Sequence, residues 1–272
     1  MKIINKALFT TVVGLLFTLM TIGQDVKKVA IGLYGSGNVS WLKPDVDGKY
    51  VYDRKGVGLG YGAGVAFDFA LFGSKNYSFV AGVGVLYHSG KLTYPDVYTP
   101  TSGLHIAGTT TSNYKLSYID IPVLLKLKTN EIGYLTYYIE VGSSIGVKYK
   151  ARADWQGTYD NGIYQESANE EDADVTKETN LFRFPLVVGA GIEYNLSGNT
   201  SLVVGLVYNN GFTNAFAWGN NNANVYAVDD NGNVLLDGNG NVIIGTNGTP
   251  QTLDLKRKAI SNFVGLKVGI KF

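Results

Sequence analysis

Between residues 58 and 69 the chain alternates with a period of two. Leu59, Tyr61, Ala63, Val65, Phe67 and Phe69 are apolar, while Gly58, Gly60, Gly62, Gly64, Ala66 and Asp68 between them are small or charged. Successive side chains of a strand point to opposite faces, so this segment reads as a strand with one greasy face and one nearly bare face. The final residues repeat the pattern: Val264, Leu266, Val268, Ile270 and Phe272 alternate with Gly265, Lys267, Gly269 and Lys271. A soluble β-sandwich also alternates, but it exposes long polar side chains to water. A solvated face has no reason to be so small, whereas the crowded interior of a narrow closed barrel does. The apolar face is then left for lipid.

The same period predicts strands over residues 28–41, 56–71, 77–90, 114–128, 134–150, 181–196, 200–212 and 258–272. Their connections alternate in length. Short turns fall at Gly73–Asn76, Thr129–Gly133 and Ser197–Asn199, and long polar loops at 42–55, 91–113, 151–180 and 213–257. Short turns on one side and long loops on the other are the habit of transmembrane barrels. The expected fold is all-β: an eight-stranded antiparallel transmembrane β-barrel with long extracellular loops, the fourth carrying β-hairpins. An even strand count puts both termini on the short-turn side, the periplasmic side of a Gram-negative outer membrane. Aromatic girdles are expected at Tyr77, Tyr134, Tyr194 and Phe272 below and at Trp41, Tyr87, Tyr114, Tyr149, Phe182 and Tyr208 above.

Residues 1–23 read as an export signal, with Lys2 and Lys6 before an apolar run from Ala7 to Met20, and Thr21 and Gly23 as small residues ahead of a cut at Gln24. The alternative, one uncleaved membrane helix, is disfavoured by the shortness of the run. Residues 24–272 then form the barrel domain. The whole chain has 23 basic and 22 acidic residues, and loss of Lys2 and Lys6 turns the net charge to −1. That balance argues against general nucleic-acid binding. Cysteine is absent and histidine occurs twice, so thiol chemistry is excluded and a histidine metal site has little to draw on. No cofactor is expected.

The strand phases turn eight ionisable residues toward the lumen: Asp68, Asp120, Lys126, Glu140, Lys148, Arg183, Glu193 and Lys267. An eight-stranded barrel is just wide enough for its own side chains, and unpaired charges there are expensive. Mutual pairing into a filled plug is therefore expected, with a polar path for a small solute or proton as the alternative. Pro122 and Pro185 break the pattern, because proline cannot donate to a ladder. A bulge, or a neighbouring strand that has ended, would accommodate each.

The run Tyr118-Ile119-Asp120-Ile121-Pro122-Val123-Leu124-Leu125-Lys126 resembles the aromatic-x-acidic-Ile-Pro-Leu-Leu-Leu-Lys segment of the PorT-like outer-membrane barrels of Bacteroidota. Arg183-Phe184-Pro185-Leu186-Val187-Val188-Gly189-Ala190-Gly191 is similar to the second proline-containing strand of that domain. The resemblance covers residues 28–272 apart from loop details. It implies an eight-stranded barrel and, through the family's namesake, a link to type IX secretion.

An enzymatic site would need a nucleophile beside a base. His88 and Ser89 point to opposite faces, and Glu140 lies on a strand that is not adjacent, so the chain reads as non-enzymatic. In the fourth loop, Asp229–Val234 and Asp237–Val242 place Asp and Asn as a calcium loop would, but each has Val where the EF-hand needs Gly. Asn-Gly hairpin turns are the favoured reading. The third loop carries Glu166, Glu170, Glu171, Asp172, Asp174 and Glu178 and reads as a solvated acidic loop, with divalent bridging as the alternative.

Expected partners are outer-membrane lipid, the barrel-assembly machinery and an envelope or secretion-complex protein. Val264, Leu266, Val268, Ile270 and Phe272 would serve as the assembly signal. Phe212, Phe216, Trp218 and Tyr226 are the candidate aromatic contacts for a partner. Three functions compete: a structural or interaction scaffold acting through its loops, an accessory part of a secretion complex, and a narrow channel.

Overall fold

Alternation of this kind leaves each strand needing two hydrogen-bonded neighbours, and a closed ring supplies them without an edge. The computed structural model describes residues 29–44, 53–98, 106–160, 165–217 and 258–272, together with 235, 237, 238 and 243. Ten β elements occur: β1 (Val29–Pro44), β2 (Asp53–Ala70), β3 (Tyr77–Tyr98), β4 (Ile106–Lys128), β5 (Leu135–Asp160), β6 (Gln165–Asp174), β7 (Phe182–Arg183), β8 (Pro185–Ser197), β9 (Thr200–Asn214) and β10 (Ala259–Lys271). No helix occurs among the described residues. The segment read as an export signal and most of the fourth loop, including both calcium-like stretches, Trp218 and Tyr226, lie outside the described residues. Within that loop, the Ile243 amide donates to the Leu235 carbonyl at 3.1 Å.

The ring runs β1, β2, β3, β4, β5, β8, β9, β10 and back to β1, antiparallel throughout. β7 pairs with β5 in the register of β8, so the two form one barrel strand interrupted at Phe184. Amide and carbonyl exchange between Phe272 and Ile31 closes the seam at the short-turn end. The wall sorts by phase. Leu59, Tyr61, Ile139, Leu206, Leu266 and Ile270 are exposed on the outside, and the opposite face is buried.

Two of the expected loops are largely strand. β3, β4 and β5 are 22, 23 and 26 residues long, about twice the roughly 9–11 residues that a tilted strand needs to cross a bilayer. β3 pairs with β4 up to Tyr98 and Ile106, and β5 pairs with β6 out to Asp160 and Gln165. Residues 91–98, 106–113, 151–160 and 165–174 thus extend the wall as a sheet beyond the barrel. The acidic residues Glu166, Glu170, Glu171, Asp172 and Asp174 sit on β6, whose partner among the described residues is β5 alone.

Neither proline sits at a bulge. The β3–β4 ladder keeps its register from Ala81 opposite Val123 to Gly84 opposite Asp120, but lapses in between, beside Pro122. The β5 ladder lapses in the same way at Phe184 and Pro185. Both prolines lie level with Ser144 of β5. Pro122 is its partner in register, and the Ser143 hydroxyl donates to the Pro185 carbonyl at 2.7 Å.

The bare faces have a specific use. Tyr34, Gly64 and Gly84 stand opposite one another on β1, β2 and β3, as do Tyr138, Gly191 and Gly205 on β5, β8 and β9. Each tyrosine lies across its two glycines. A Cβ on Gly64, Gly84 or Gly191 would come within 2.7 Å of the tyrosine hydroxyl. The glycines leave the space in which the tyrosines fill the lumen, and the arrangement repeats four barrel strands apart.

Candidate functional site: the lumen and its two mouths

Side chains on alternate positions of every barrel strand converge on the lumen, so its chemistry follows from strand phase. At the short-turn end four charges form an alternating chain. Glu193 on β8 accepts from Lys271 on β10 and forms an ion pair with Lys126 on β4 at 2.8 Å, and Lys126 reaches Asp68 on β2 at 3.3 Å. The Lys126 ammonium also lies over the Tyr138 ring, 4.3 Å from its centroid. One level further in, Lys267 donates to Glu140. A cavity of about 130 Å³ occupies the middle of the lumen, lined among others by Tyr34, Asp120, Glu140 and Lys267.

Asp120, Lys148 and Arg183 also face inward, but none of them makes an ion pair among the described residues. Asp120 accepts from the Ser144 hydroxyl at 2.8 Å. Arg183 donates to the Asn209 side chain and to the Ser261 carbonyl at 3.3 Å, and lies over the Phe263 ring. Lys148 donates to the Thr176 carbonyl at 2.7 Å and to the Thr179 hydroxyl at 2.8 Å. Neutral oxygens thus take the place of carboxylates for Lys148 and for Nη2 of Arg183, whose Nε and Nη1 are buried without a partner. His88 is buried against Tyr118, with its Nε2 2.6 Å from the Ser261 hydroxyl. Lys271 was missed in the sequence, although it shares the strand phase of Lys267; the same phase argument would have found it.

The other mouth is closed by apolar packing. Leu42, Leu92, Tyr114, Leu116, Tyr118, Val175 and Phe216 form one buried cluster there. Phe216 is 1% exposed and meets Tyr114 edge to face, with centroids 5.1 Å apart. The segments after β6 and β9 dip inward together: Thr179 bridges Phe216, and the Ala217 amide donates to the Glu178 carbonyl at 2.8 Å. Two expectations change here. Phe216 is packed inside the mouth and unavailable to a partner, and Tyr114 faces inward instead of joining the upper girdle. Phe212 is exposed on the outer wall. Val264, Leu266, Val268, Ile270 and Phe272 line one outward face at the β10 seam.

Above this stopper the inner face of the extended sheet is polar. Thr110 donates to Asp96 at 2.7 Å, and Tyr159 reaches the same carboxylate at 3.1 Å. Burial pushes the Tyr159 hydroxyl up to about 12. On the outer face Lys115 pairs with Asp154 at 2.5 Å. Hydrogen bonds from Lys115 and from the Asp172 amide hold the Asp154 carboxyl below its ordinary value. Asp172 sits at φ 53 in an irregularity of the β5–β6 pairing. No group of three or more His, Cys, Asp or Glu side chains suited to a metal ion occurs among the described residues.

A closed antiparallel barrel with a lipid-compatible wall and a polar lumen defines a membrane β-barrel protein. The sequence profile described as "Outer membrane protein beta-barrel domain" matches residues 21–217, and the chain belongs to that family of Gram-negative outer-membrane proteins. A comparison with curated protein sequences finds no match. Among solved structures, the Neisserial surface protein A covers 89% of this chain and 97% of its own length at 9% identity and TM-score 0.36. The outer membrane protein OprG from Pseudomonas aeruginosa covers 89% and 95% at 10% identity and TM-score 0.31. The outer membrane protease OmpT from Escherichia coli covers 90% and 96% at 10% identity and TM-score 0.33. Similarity at this level carries no argument about activity.

Proposed function

We propose that this barrel is a non-enzymatic outer-membrane scaffold whose extended sheet engages a protein partner of the cell envelope. The short-turn end, with both termini, faces the periplasm in this reading, and β3–β6 project from the cell. The observation that carries it is the contrast at the long-hairpin end: β3, β4 and β5 run far past bilayer height while the lumen beneath them is closed by the Phe216 cluster. A channel would need that mouth open. A protruding sheet with an acidic edge strand suits docking of a basic surface, because complementary charge steers and orients encounter. The resemblance to PorT-like barrels, carried by Tyr118–Lys126 and Arg183–Gly191, makes a secretion or envelope-assembly complex the class of partner proposed.

Replacing residues 154–172 by an Asn-Gly turn joins Ala153 to Ala173, which are paired in β5 and β6. The barrel should still fold, shown by faster migration on unboiled gels, and should lose co-purification of its partner from native membranes and complementation of a deletion strain. Retention of both would refute the proposal. Measurable single-channel conductance of the parent protein in planar bilayers would favour the channel instead.

A further inference from the structure

We propose that the mid-lumen cavity is a binding site for one compact neutral molecule, an apolar ring that carries a single hydroxyl. An eight-stranded barrel has room for its own side chains or for one small ligand. Tyr34 and Tyr138, laid over their glycines, leave a cavity of about 130 Å³ between the two mouths. An apolar cavity of about 150 Å³ holds one benzene ring. One side of this cavity is an apolar belt. Val80 stands opposite Leu124, Leu124 opposite Gly142, and Gly142 opposite Val187. Val80, Leu124 and Val187 form a buried cluster with Ala66 and Val207 packed against it, and all five line the cavity. Water gains nothing from such a wall, because a buried water needs about two to four polar partners.

The acceptor for the hydroxyl is Asp120. Leu124, Pro122 and Asp120 lie in one inward row of β4, and all three line the cavity. Asp120 is only half-buried although the wall closes around it, so its open surface faces the lumen. Its Oδ1 accepts from the Ser144 hydroxyl at 2.8 Å, and its Oδ2 accepts no hydrogen bond among the described residues. The other charged groups of the lining, Asp68, Glu140, Lys126, Lys267 and Lys271, are all in ion pairs. With Asp120 the lining holds three acids and three bases, a balance that suits a guest without net charge. The ring then covers Pro122 and the belt, while its hydroxyl gives Asp120 a charge-assisted hydrogen bond. The cavity shares Asp68 and Lys271 with the recess at the short-turn end. A swing of the Lys271 side chain away from Glu193 opens the way in, and the Phe216 cluster bars the other end. The site makes no use of the extended sheet, so it stands or falls independently of the scaffold reading.

The test titrates the full mature barrel, methyl-labelled and in detergent micelles, with para-fluorophenol and with fluorobenzene, two probes that differ by one hydroxyl. Saturable nuclear Overhauser contacts from para-fluorophenol to the inward methyls of Val80, Leu124 and Val187 are expected. Probe dissolved in the micelle reaches the outward methyls of Val123, Val188 and Leu206 instead, without saturating. Para-fluorophenol should bind at least tenfold tighter than fluorobenzene, and Asp120→Asn should cut that preference at least threefold. Ala66→Leu, which fills the cavity, should abolish the inward contacts of both probes. If Ala66→Leu fails to fold, Ala66→Val should weaken both probes at least threefold. Absence of saturable contacts to the inward methyls would overturn the proposal and leave the cavity to water. Inward binding that the Ala66 variants leave unchanged, or a hydroxyl preference that survives Asp120→Asn intact, would overturn it as well.

Discussion

Glu193→Gln is the sharpest perturbation of the lumen. Glu193 is 5% exposed and receives two ammoniums, Lys126 at 2.8 Å and Lys271. Neutralising it leaves Lys126 with Asp68 at 3.3 Å and the Tyr138 ring, but Lys271 with no carboxylate. Removing one partner of a buried pair costs about 3–5 kcal/mol, because the remaining charge keeps its desolvation penalty. Lys271 can relax toward water in the mouth, so the lower end applies, about 3 kcal/mol. Lys271→Met is milder, since Glu193 keeps Lys126; about 1 kcal/mol is expected. The double variant should recover about 1–2 kcal/mol relative to the sum of the singles, since the stranded ammonium is gone. Equilibrium urea unfolding in phospholipid vesicles, followed by tryptophan fluorescence, measures all three. A loss below about 1 kcal/mol for Glu193→Gln, or strict additivity in the double variant, would refute a coupled lumen network.

Gly191→Val should destabilise the barrel by roughly 1–3 kcal/mol through overpacking, because its Cβ would meet the Val204 carbonyl and lie 2.7 Å from the Tyr138 hydroxyl. Gly37→Ala, where a Cβ meets nothing within 4 Å, is the control and should stay within about 0.5 kcal/mol. The extended sheet should loosen in acid. Asp154 titrates below its ordinary value, so its contribution is complete above that value and is lost as pH falls through the folded one. Lys115 titrates above its ordinary value, so its share is lost only in strong base. The pair is about one-third exposed, which limits the effect to a few tenths of a kcal/mol. Exchange protection of the Asp172 amide should fall below pH ~4 and lose that dependence in Asp154→Asn.

The eight strands and their lumen phases were legible because the bilayer imposes a strict rule on every residue within it. Beyond the bilayer that rule lapses. Thr109, Thr110, Thr111 and Ser112 continue β4 with no apolar alternation to mark them, and only their β-branched content hinted at strand. Phase itself cannot be carried past a bulge. Ser117 stands opposite Lys150 and Tyr118 opposite Lys148, so Tyr149 is extra on β5. Below it the even-numbered residues Glu140 and Lys148 face inward, and above it the odd-numbered Ala151 and Ala153 do. Tyr114 was misplaced for a different reason: it shares the even, inward phase of Asp120 and Lys126 on β4, and its place near the strand end was read as a girdle instead. Phe216 has no periodicity to read at all, because it lies beyond β9 and its burial depends on contacts with Tyr114 and Thr179, distant in the chain. Pairing in the lumen was over-expected because the argument allowed charges only charged partners. The Thr176 carbonyl and the Thr179 hydroxyl serve Lys148 without any, while Arg183 engages Asn209 and Ser261 through Nη2 and leaves its Nε and Nη1 unpartnered.

The two ends of this barrel differ in kind, and the difference bears on function. An eight-stranded wall has little interior to spare, and here tyrosines laid over glycines take up much of it. Most of the chemistry is therefore pushed to the mouths. At one mouth apolar side chains from seven segments meet around Phe216, which excludes water and makes a firm base for the sheet of β3–β6. At the other the charges of Lys271, Glu193, Lys126 and Asp68 are arranged in an alternating chain beneath an open recess. Pairing along that chain is what offsets the desolvation of its members. The polar end thus stays open to water, while the dry end forms the base of the sheet that the proposed function assigns to a partner.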